Sequence, residues 1–257
     1  MKVVSWNVNS IKARDVRLFS WLERHRPDVV CLQELKVTDD NFPYATLQEA
    51  GYHAVANCQR AYNGVAILSR TPLEKPSFDL QDDVDDGQAR LVAATVLGVR
   101  VICVYVPNGS TRTSDKYPYK LAWMKRLRAY LEKHYTTQTP LVLCGDFNVA
   151  PSPSDVAKPD QWEASVLFHP EVREHLQHVT SWGLVDVFRK HHPAGGVYSW
   201  WDYRMLGFVK NNGLRIDQIY ATDALACRST GAAIDREERK GQQPSDHAPV
   251  IADFAWP

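Results

Sequence analysis

The residues with most to offer chemically follow an apolar run: Leu141-Val142-Leu143-Cys144, then Gly145, Asp146, Phe147 and Asn148. Four apolar residues read as a buried strand, and the glycine breaks it where a carboxylate and an amide appear. Ligands in open α/β sheets sit at the carboxyl ends of strands. Alternation places Asp146 and Asn148 on one side if the extended conformation persists. There the pair can bind a metal, position a water or take its proton. An Asp-x-Asn turn also serves as a helix cap or Asx-turn, so the pair needs company before it counts as a site.

Company is found at other strand ends. Val29-Val30-Cys31-Leu32 delivers Gln33 and Glu34, and the first strand ends in Asn7, Asn9 and Ser10. The 99–106 strand stops at Tyr105-Val106-Pro107-Asn108-Gly109, and the C-terminal strand is preceded by Ser245-Asp246-His247. Asp217 lies within Leu214-Arg215-Ile216-Asp217-Gln218-Ile219-Tyr220. A carboxylate flanked by apolar residues needs a partner when buried, and a histidine suits, because an Asp–His pair orients the imidazole and stabilises its cation.

The elements that must position these groups alternate between the two periods. Strands are expected at 3–8, 29–32, 53–56, 65–68, 91–96, 99–106, 141–144 and 248–254, with Asn63-Gly64 marking a hairpin. Helices are expected at 16–26, ended by Pro27, at 117–134, and at 170–182, capped by Gly183. In the second, Leu121, Met124, Leu127 and Leu131 point inward, and Lys120, Lys125, Arg126 and Arg128 form an exposed basic face. Asp82, Asp83, Asp85 and Asp86 read as a solvated loop, and His175 and His178 as surface histidines. No linker or repeat divides the chain, which reads as one domain over 1–257 of mixed α/β layers.

The 257 residues are 44% hydrophobic and 23% charged, ordinary globular composition. Thirty basic residues cancel thirty acidic ones, so there is no strongly basic coat, though a local basic face is allowed. Five cysteines show no C-x-x-C spacing, and Cys31, Cys103 and Cys144 sit in apolar runs, as reduced core residues would. The N-terminus turns polar too early for a signal peptide, and no apolar run approaches a membrane span. A soluble, cytoplasmic protein is expected.

The motifs Trp6-Asn7-Val8-Asn9, Leu32-Gln33-Glu34, Tyr105-Val106-Pro107-Asn108-Gly109, Gly145-Asp146-Phe147-Asn148, Gly213-Leu214-Arg215-Ile216-Asp217 and Ser245-Asp246-His247, in this order, resemble the exonuclease III family of abasic-site endonucleases. The resemblance covers essentially the whole chain. Ser199 to Arg204 and Ser181-Trp182-Gly183-Leu184-Val185-Asp186 narrow it to the DNA-repair branch of a wider endonuclease/exonuclease/phosphatase superfamily.

The resemblance implies a four-layer α/β sandwich, two packed mixed β-sheets flanked by helices. It implies a monomeric, metal-dependent phosphodiesterase that cuts double-stranded DNA 5′ to abasic sites and trims damaged 3′ ends. Mg²⁺, with Mn²⁺ as substitute, would be held by Glu34 with Asn7 and with Asn9 or Asp246, because oxygen ligands suit these ions. Asn9 stands where some relatives carry aspartate, which leaves a second acidic ligand there open. A second ion near Asp146, Asn148 and His247 also stays open.

In catalysis Asp146 would deprotonate a water held by Asn148. Tyr105, Asn108 and His247 would bind phosphate oxygens, and Asp217 would keep His247 cationic. Tyr105 could instead be an ionised group or a proton source. Trp200, Leu214 and Ile216 match a small apolar pocket for a base-free sugar, and Arg112, Lys116, Arg204 and Arg215 are candidate phosphate contacts. The rival reading is another phosphoesterase of the superfamily, acting on RNA or small phosphate esters.

Overall fold

Apolar runs separated by turn residues pair into two six-stranded sheets. The computed structural model describes residues 1–84 and 87–257. Its strands are β1 (Lys2–Asn7), β2 (Val29–Gln33), β3 (His53–Asn57), β4 (Val65–Ser69), β5 (Glu74–Phe78), β6 (Leu91–Val96), β7 (Val99–Tyr105), β8 (Leu141–Asp146), β9 (Leu184–Asp186), β10 (Asp217–Thr222), β11 (Ser229–Ile234) and β12 (Val250–Phe254). One sheet has the order β11-β12-β1-β2-β4-β3 and the other β5-β6-β7-β8-β10-β9. Both are mixed: β1 runs parallel to β2 and β7 parallel to β8, while β8 and β10 are antiparallel. Lys2 of β1 pairs with Asp253 of β12, so the two ends of the chain share one sheet.

Strand parity builds four layers. Val3, Cys31 and Ile67 of the first sheet meet Cys103, Val142, Cys144 and Ile219 of the second in the central core. Val4, Trp6 and Leu32 point the other way, onto Leu18, Trp21 and Leu22 of α1 (Asp15–His25). On the far side, Ile102 and Leu143 pack on Met124, Leu127 and Leu131 of the helix Lys116–His134 and on Val172 and Leu176 of the helix Pro170–Thr180. Each such aliphatic side chain contributes roughly 1.5–3 kcal/mol on burial. The result is an α/β sandwich with helices outside both sheets.

The differences from expectation are local. Asn63 and Gly64 do adopt positive φ, 53° and 87°, but they end a loop over 58–64 rather than forming a two-residue turn. The helix Pro170–Thr180 stops two residues early, and Gly183 has a φ of +123°. Lys120, expected on an exposed face, is fully buried, and Leu121 is only half-buried. His178 is exposed as expected, whereas His175 is half-buried with Nδ1 against Glu171 O at 2.8 Å. Asp82 pairs with Arg126 at 2.6 Å, and Asp85 and Asp86 lie outside the described residues. Among the described residues, no helix is long and apolar enough to cross a membrane.

Candidate active site

The parity that packs the sheets also collects the polar residues. Tyr105 continues the face of Val101 and Cys103 on β7, Asp146 that of Val142 and Cys144 on β8, and Asp217 that of Ile219 and Ala221 on β10. In register, Tyr105 pairs with Asp146 and Asp146 with Asp217. Three chemically useful side chains therefore stand in a row on adjacent strands, all facing the other sheet. Gly145 permits this: its φ is +153°, and a Cβ there would lie 1.9 Å from Val104 O on β7.

The facing sheet closes the slot. Asn7, on the inward face of β1, donates from Nδ2 to Glu34 Oε1 and to Asp146 Oδ2, both at 2.9 Å. Glu34 follows β2 with a φ of +54°, and Asn9, Ser10 and Lys36 nearby are also left-handed. Non-glycine residues held in that region cost of order 1–3 kcal/mol each and concentrate at functional sites.

After Asp146 the chain does not stay extended. Asn148 turns to a φ of +50°, Phe147 enters the core, and the Asn148 backbone N–H donates to Asp146 Oδ1 at 2.8 Å. This is an Asx-type turn, and it still delivers Asn148 to the site. Asn148 Nδ2 reaches Val106 O at 2.9 Å, and Asn108 Nδ2 donates to Asn148 Oδ1 at 2.8 Å.

His247 completes the cluster. Its Nδ1 lies 2.9 Å from Asp217 Oδ2, and its Nε2 lies 3.8 Å from Asp146 Oδ2. Ser199, absent from the candidates drawn from sequence, holds Asp217: its hydroxyl donates to Asp217 Oδ2 at 2.6 Å and accepts the Ile216 and Asp217 backbone N–H groups. Burial opposes a charge on His247, but the carboxylates of Asp217 and Asp146 outweigh it and push the imidazole up to about 10. An imidazolium has no lone pair to give a metal, so in this state His247 is a donor. Burial pushes Asp146 up to about 7, against the pull of His247 and with the repulsion of Asp217. Burial, with the carboxylates of Glu34 and Asp146, also raises the Tyr105 phenol well above its usual range.

Glu34, Asp146 and His247 each bring a potential ligand atom within 4.8 Å of the others, a group that offers three ligands to a metal ion when His247 is neutral and two when it is cationic. Two converging carboxylates fit a hard, oxygen-preferring ion, and Asn7 would join them as a ligand by turning inward its Oδ1, which here accepts the Asn9 N–H at 2.9 Å. Asp246 is not part of this converging group, and its oxygens accept from Asn9 Nδ2 and Trp200 Nε1, both at 2.9 Å. Lys36, another residue sequence reasoning missed, pairs with Glu34 Oε2 at 2.8 Å and donates to Asn9 Oδ1.

The substrate-side candidates divide by exposure. Trp200 is half-buried, bonded to Asp246 and packed edge-on to Trp162, whereas Leu214 and Ile216 are 0% and 1% exposed in the core beneath it. Arg112 and Lys116 are exposed, and Arg204 is exposed but paired with Asp202 at 2.7 Å. Arg215 is not a phosphate contact: fully buried, it pairs with Asp155 at 2.6 Å and Asp186 at 2.7 Å and lies over the Phe188 ring. Its charge is spent inside the protein. A signal for Lys120 was present in the sequence, since it falls on the inward stripe of Tyr117, Trp123, Met124, Leu127 and Leu131. Ser199 carried only its place at the head of the motif Ser199 to Arg204, which did not mark its role.

Known proteins resemble this chain in sequence and fold. A profile of the endonuclease/exonuclease/phosphatase family matches residues 4–247. The chain is 37% identical over 266 residues to exodeoxyribonuclease III of Haemophilus influenzae, covering 99% of this chain and 100% of that protein. Among solved structures, an AP endonuclease from Archaeoglobus fulgidus superposes with a TM-score of 0.96 at 41% identity, over 99% of both chains. The 3′ phosphatase NExo from Neisseria, bound to a product DNA hairpin, superposes with a TM-score of 0.95 at 42% identity over 100% of both.

Proposed function

The chain belongs to the endonuclease/exonuclease/phosphatase family, and we propose that it is a metal-dependent DNA-repair phosphodiesterase. It cleaves the backbone 5′ to abasic sites and also processes 3′ ends, by 3′→5′ exonuclease and 3′-phosphatase action. The carrying observation is that Asp146 meets Asn7, Asn148 and His247 in one slot between two sheets. The named activities of the relatives, exodeoxyribonuclease III, AP endonuclease and 3′ phosphatase, support both halves of the reading.

In this reading Asp146, raised to about 7, is a carboxylate basic enough to take a proton from water near neutral pH. Asn148 holds that water against it. His247, cationic through Asp217, donates to the phosphate, as do Asn108 and the protonated Tyr105; the upward push on the phenol favours a proton-bearing donor over an ionised group. General-base assistance is worth about 10²–10⁴-fold, so charge stabilisation must supply much of the rest. Glu34 with Asn7 would hold Mg²⁺, or Mn²⁺ in its place, which when bound neutralises phosphate and leaving-group charge. Trp200 forms the exposed wall of the abasic-sugar site. Every catalytic group comes from one chain, so a monomer suffices.

A side-by-side assay tests this reading on a duplex with one abasic analogue, a duplex with a 3′ phosphate and a recessed duplex, each with Mg²⁺ or EDTA. Mg²⁺-dependent cleavage 5′ to the abasic site is expected. Incision that survives EDTA, or hydrolysis of small phosphate esters with duplexes left intact, would overturn it.

A further inference from the structure

Lys120 is a buried cation for which the catalytic scheme has no use. It lies one turn into the helix Lys116–His134 and is 0% exposed. Its ammonium has three donors, and all three are spent on backbone carbonyls: Asn108 O at 3.0 Å, Asn148 O at 2.7 Å and Val166 O at 2.7 Å. Those carbonyls belong to three separate segments. Two of them come from the residues whose side-chain amides pair at 2.8 Å beside Asp146.

We infer that Lys120 is a positioning residue of the active site, its ammonium fixing the Asn108–Asn148 amide pair against Asp146. The inference rests on the catalytic reading given above. Stability alone does not call for a lysine here, because burying an ammonium costs several kcal/mol before its hydrogen bonds repay it, and an apolar side chain incurs no such penalty. Burial indeed lowers this lysine to about 7, against the pull of Asp146.

Two further observations agree. Gly109 has a φ of +93°, and a Cβ there would meet Lys120 Cδ at 3.1 Å, so the loop after Asn108 is moulded on the lysine stem. The third carbonyl, Val166 O, ties in the segment that follows Trp162, which packs edge-on to Trp200 with ring centroids 5.8 Å apart. One side chain thus joins the water-holding amides to the wall that receives the sugar. Misplacement of such groups by about 1 Å costs about 10²-fold in rate.

The test compares Lys120→Met, which keeps length and loses the donors, with Lys120→Arg, which keeps cation and donors. For Lys120→Met, kcat for abasic incision is expected to fall about 10²-fold with KM changed less than about threefold. Lys120→Arg is expected to regain at least about tenfold of that loss. The side-chain amide resonances of Asn108 and Asn148 should shift in Lys120→Met, a readout that needs no activity. An inactive wild type would sink the functional reading and leave these resonances to decide the positioning role. Unchanged resonances, an unchanged kcat, or a loss confined to KM would overturn it. If Lys120→Met fails to fold, Gly109→Ala presses the same stem and is expected to lower kcat; a normal kcat there counts against the role.

Discussion

His247 and Asp217 form a hydrogen-bonded pair closed off from water, with Nδ1 2.9 Å from Oδ2, both residues buried and the carboxylate oriented by Ser199. The pair raises the imidazole from 6.5 to about 10, so its contribution to stability is fully present below about pH 6.5 and is lost as pH rises through about 10. Activity that needs the cation follows the same limb. Asp217→Asn is expected to move the alkaline fall of kcat to lower pH and to reduce kcat by about 10²–10⁴-fold. A pH–rate profile and an NMR titration of His247 check this. An unmoved alkaline limb would show that Asp217 does not set the charge.

Asp146 should carry the opposite balance, function gained at the expense of stability. Burial, with Asp217 and Glu34 nearby, raises it from 3.8 to about 7. A carboxyl with a raised folded pKa binds protons better in the native state, so stability falls as pH climbs from about 4 through 7. Asp146→Asn removes that charge and keeps an oxygen to accept the Asn148 N–H. In EDTA at pH 8 the variant is expected to melt at or above the wild-type temperature, and with Mg²⁺ present its incision is expected to fall by about 10²–10⁴-fold. A clearly lower melting temperature would mean that the pairing with His247 outweighs the burial cost.

Much of this site can be read in the sequence because catalytic residues sit where strands end, and strand ends are marked by composition. Glu34, Tyr105, Asp146 and His247 each follow or precede an apolar run, and Asp217 stands out as a charge among isoleucines. Their meeting depends on long-range pairing, such as Asp146 with Asp217 in register, which no local period encodes. Motif resemblance supplied that information. Where local reading failed, a charge was assumed to seek water: Lys120 and Arg215 are instead buried with their partners, three carbonyls for one and two carboxylates for the other. At Asn148 the chain takes the Asx-turn alternative rather than the extended one: that residue has a φ of +50°, and its N–H donates to Asp146 Oδ1.

Arg215 gives the cleanest separation of stability from substrate binding. It lies two residues before Asp217 in sequence and is 0% exposed, bonded to Asp155 and Asp186 and stacked on Phe188. Arg215→Ala leaves Asp186 without its cation and Asp155 with Arg189 alone, and is expected to cost about 3–5 kcal/mol. Denaturant melts measure the loss. KM for DNA should be nearly unchanged at a temperature where the variant is folded. A large rise in KM with little loss of stability would restore Arg215 as a phosphate contact.

Trp200 is the point at which substrate choice can be tested apart from chemistry. Its backbone bridges Leu214 and His247, its indole N–H is held by Asp246, and its half-buried side chain packs against the core cluster that contains Leu214 and Ile216. A wall that fits a base-free sugar matters when the enzyme must select an internal abasic site, and matters less at a 3′ end that is already open. Trp200→Ala is therefore expected to lower kcat/KM for abasic incision by about tenfold or more, and 3′-phosphate removal by clearly less. Trp200→Phe keeps an apolar face but loses the bond to Asp246, so it separates the wall from the hydrogen bond. If Phe restores selectivity, the ring surface discriminates; if Phe behaves as Ala, the Asp246 bond holds the wall in place. Equal losses in both activities for Trp200→Ala would remove Trp200 from substrate choice and leave it a packing residue.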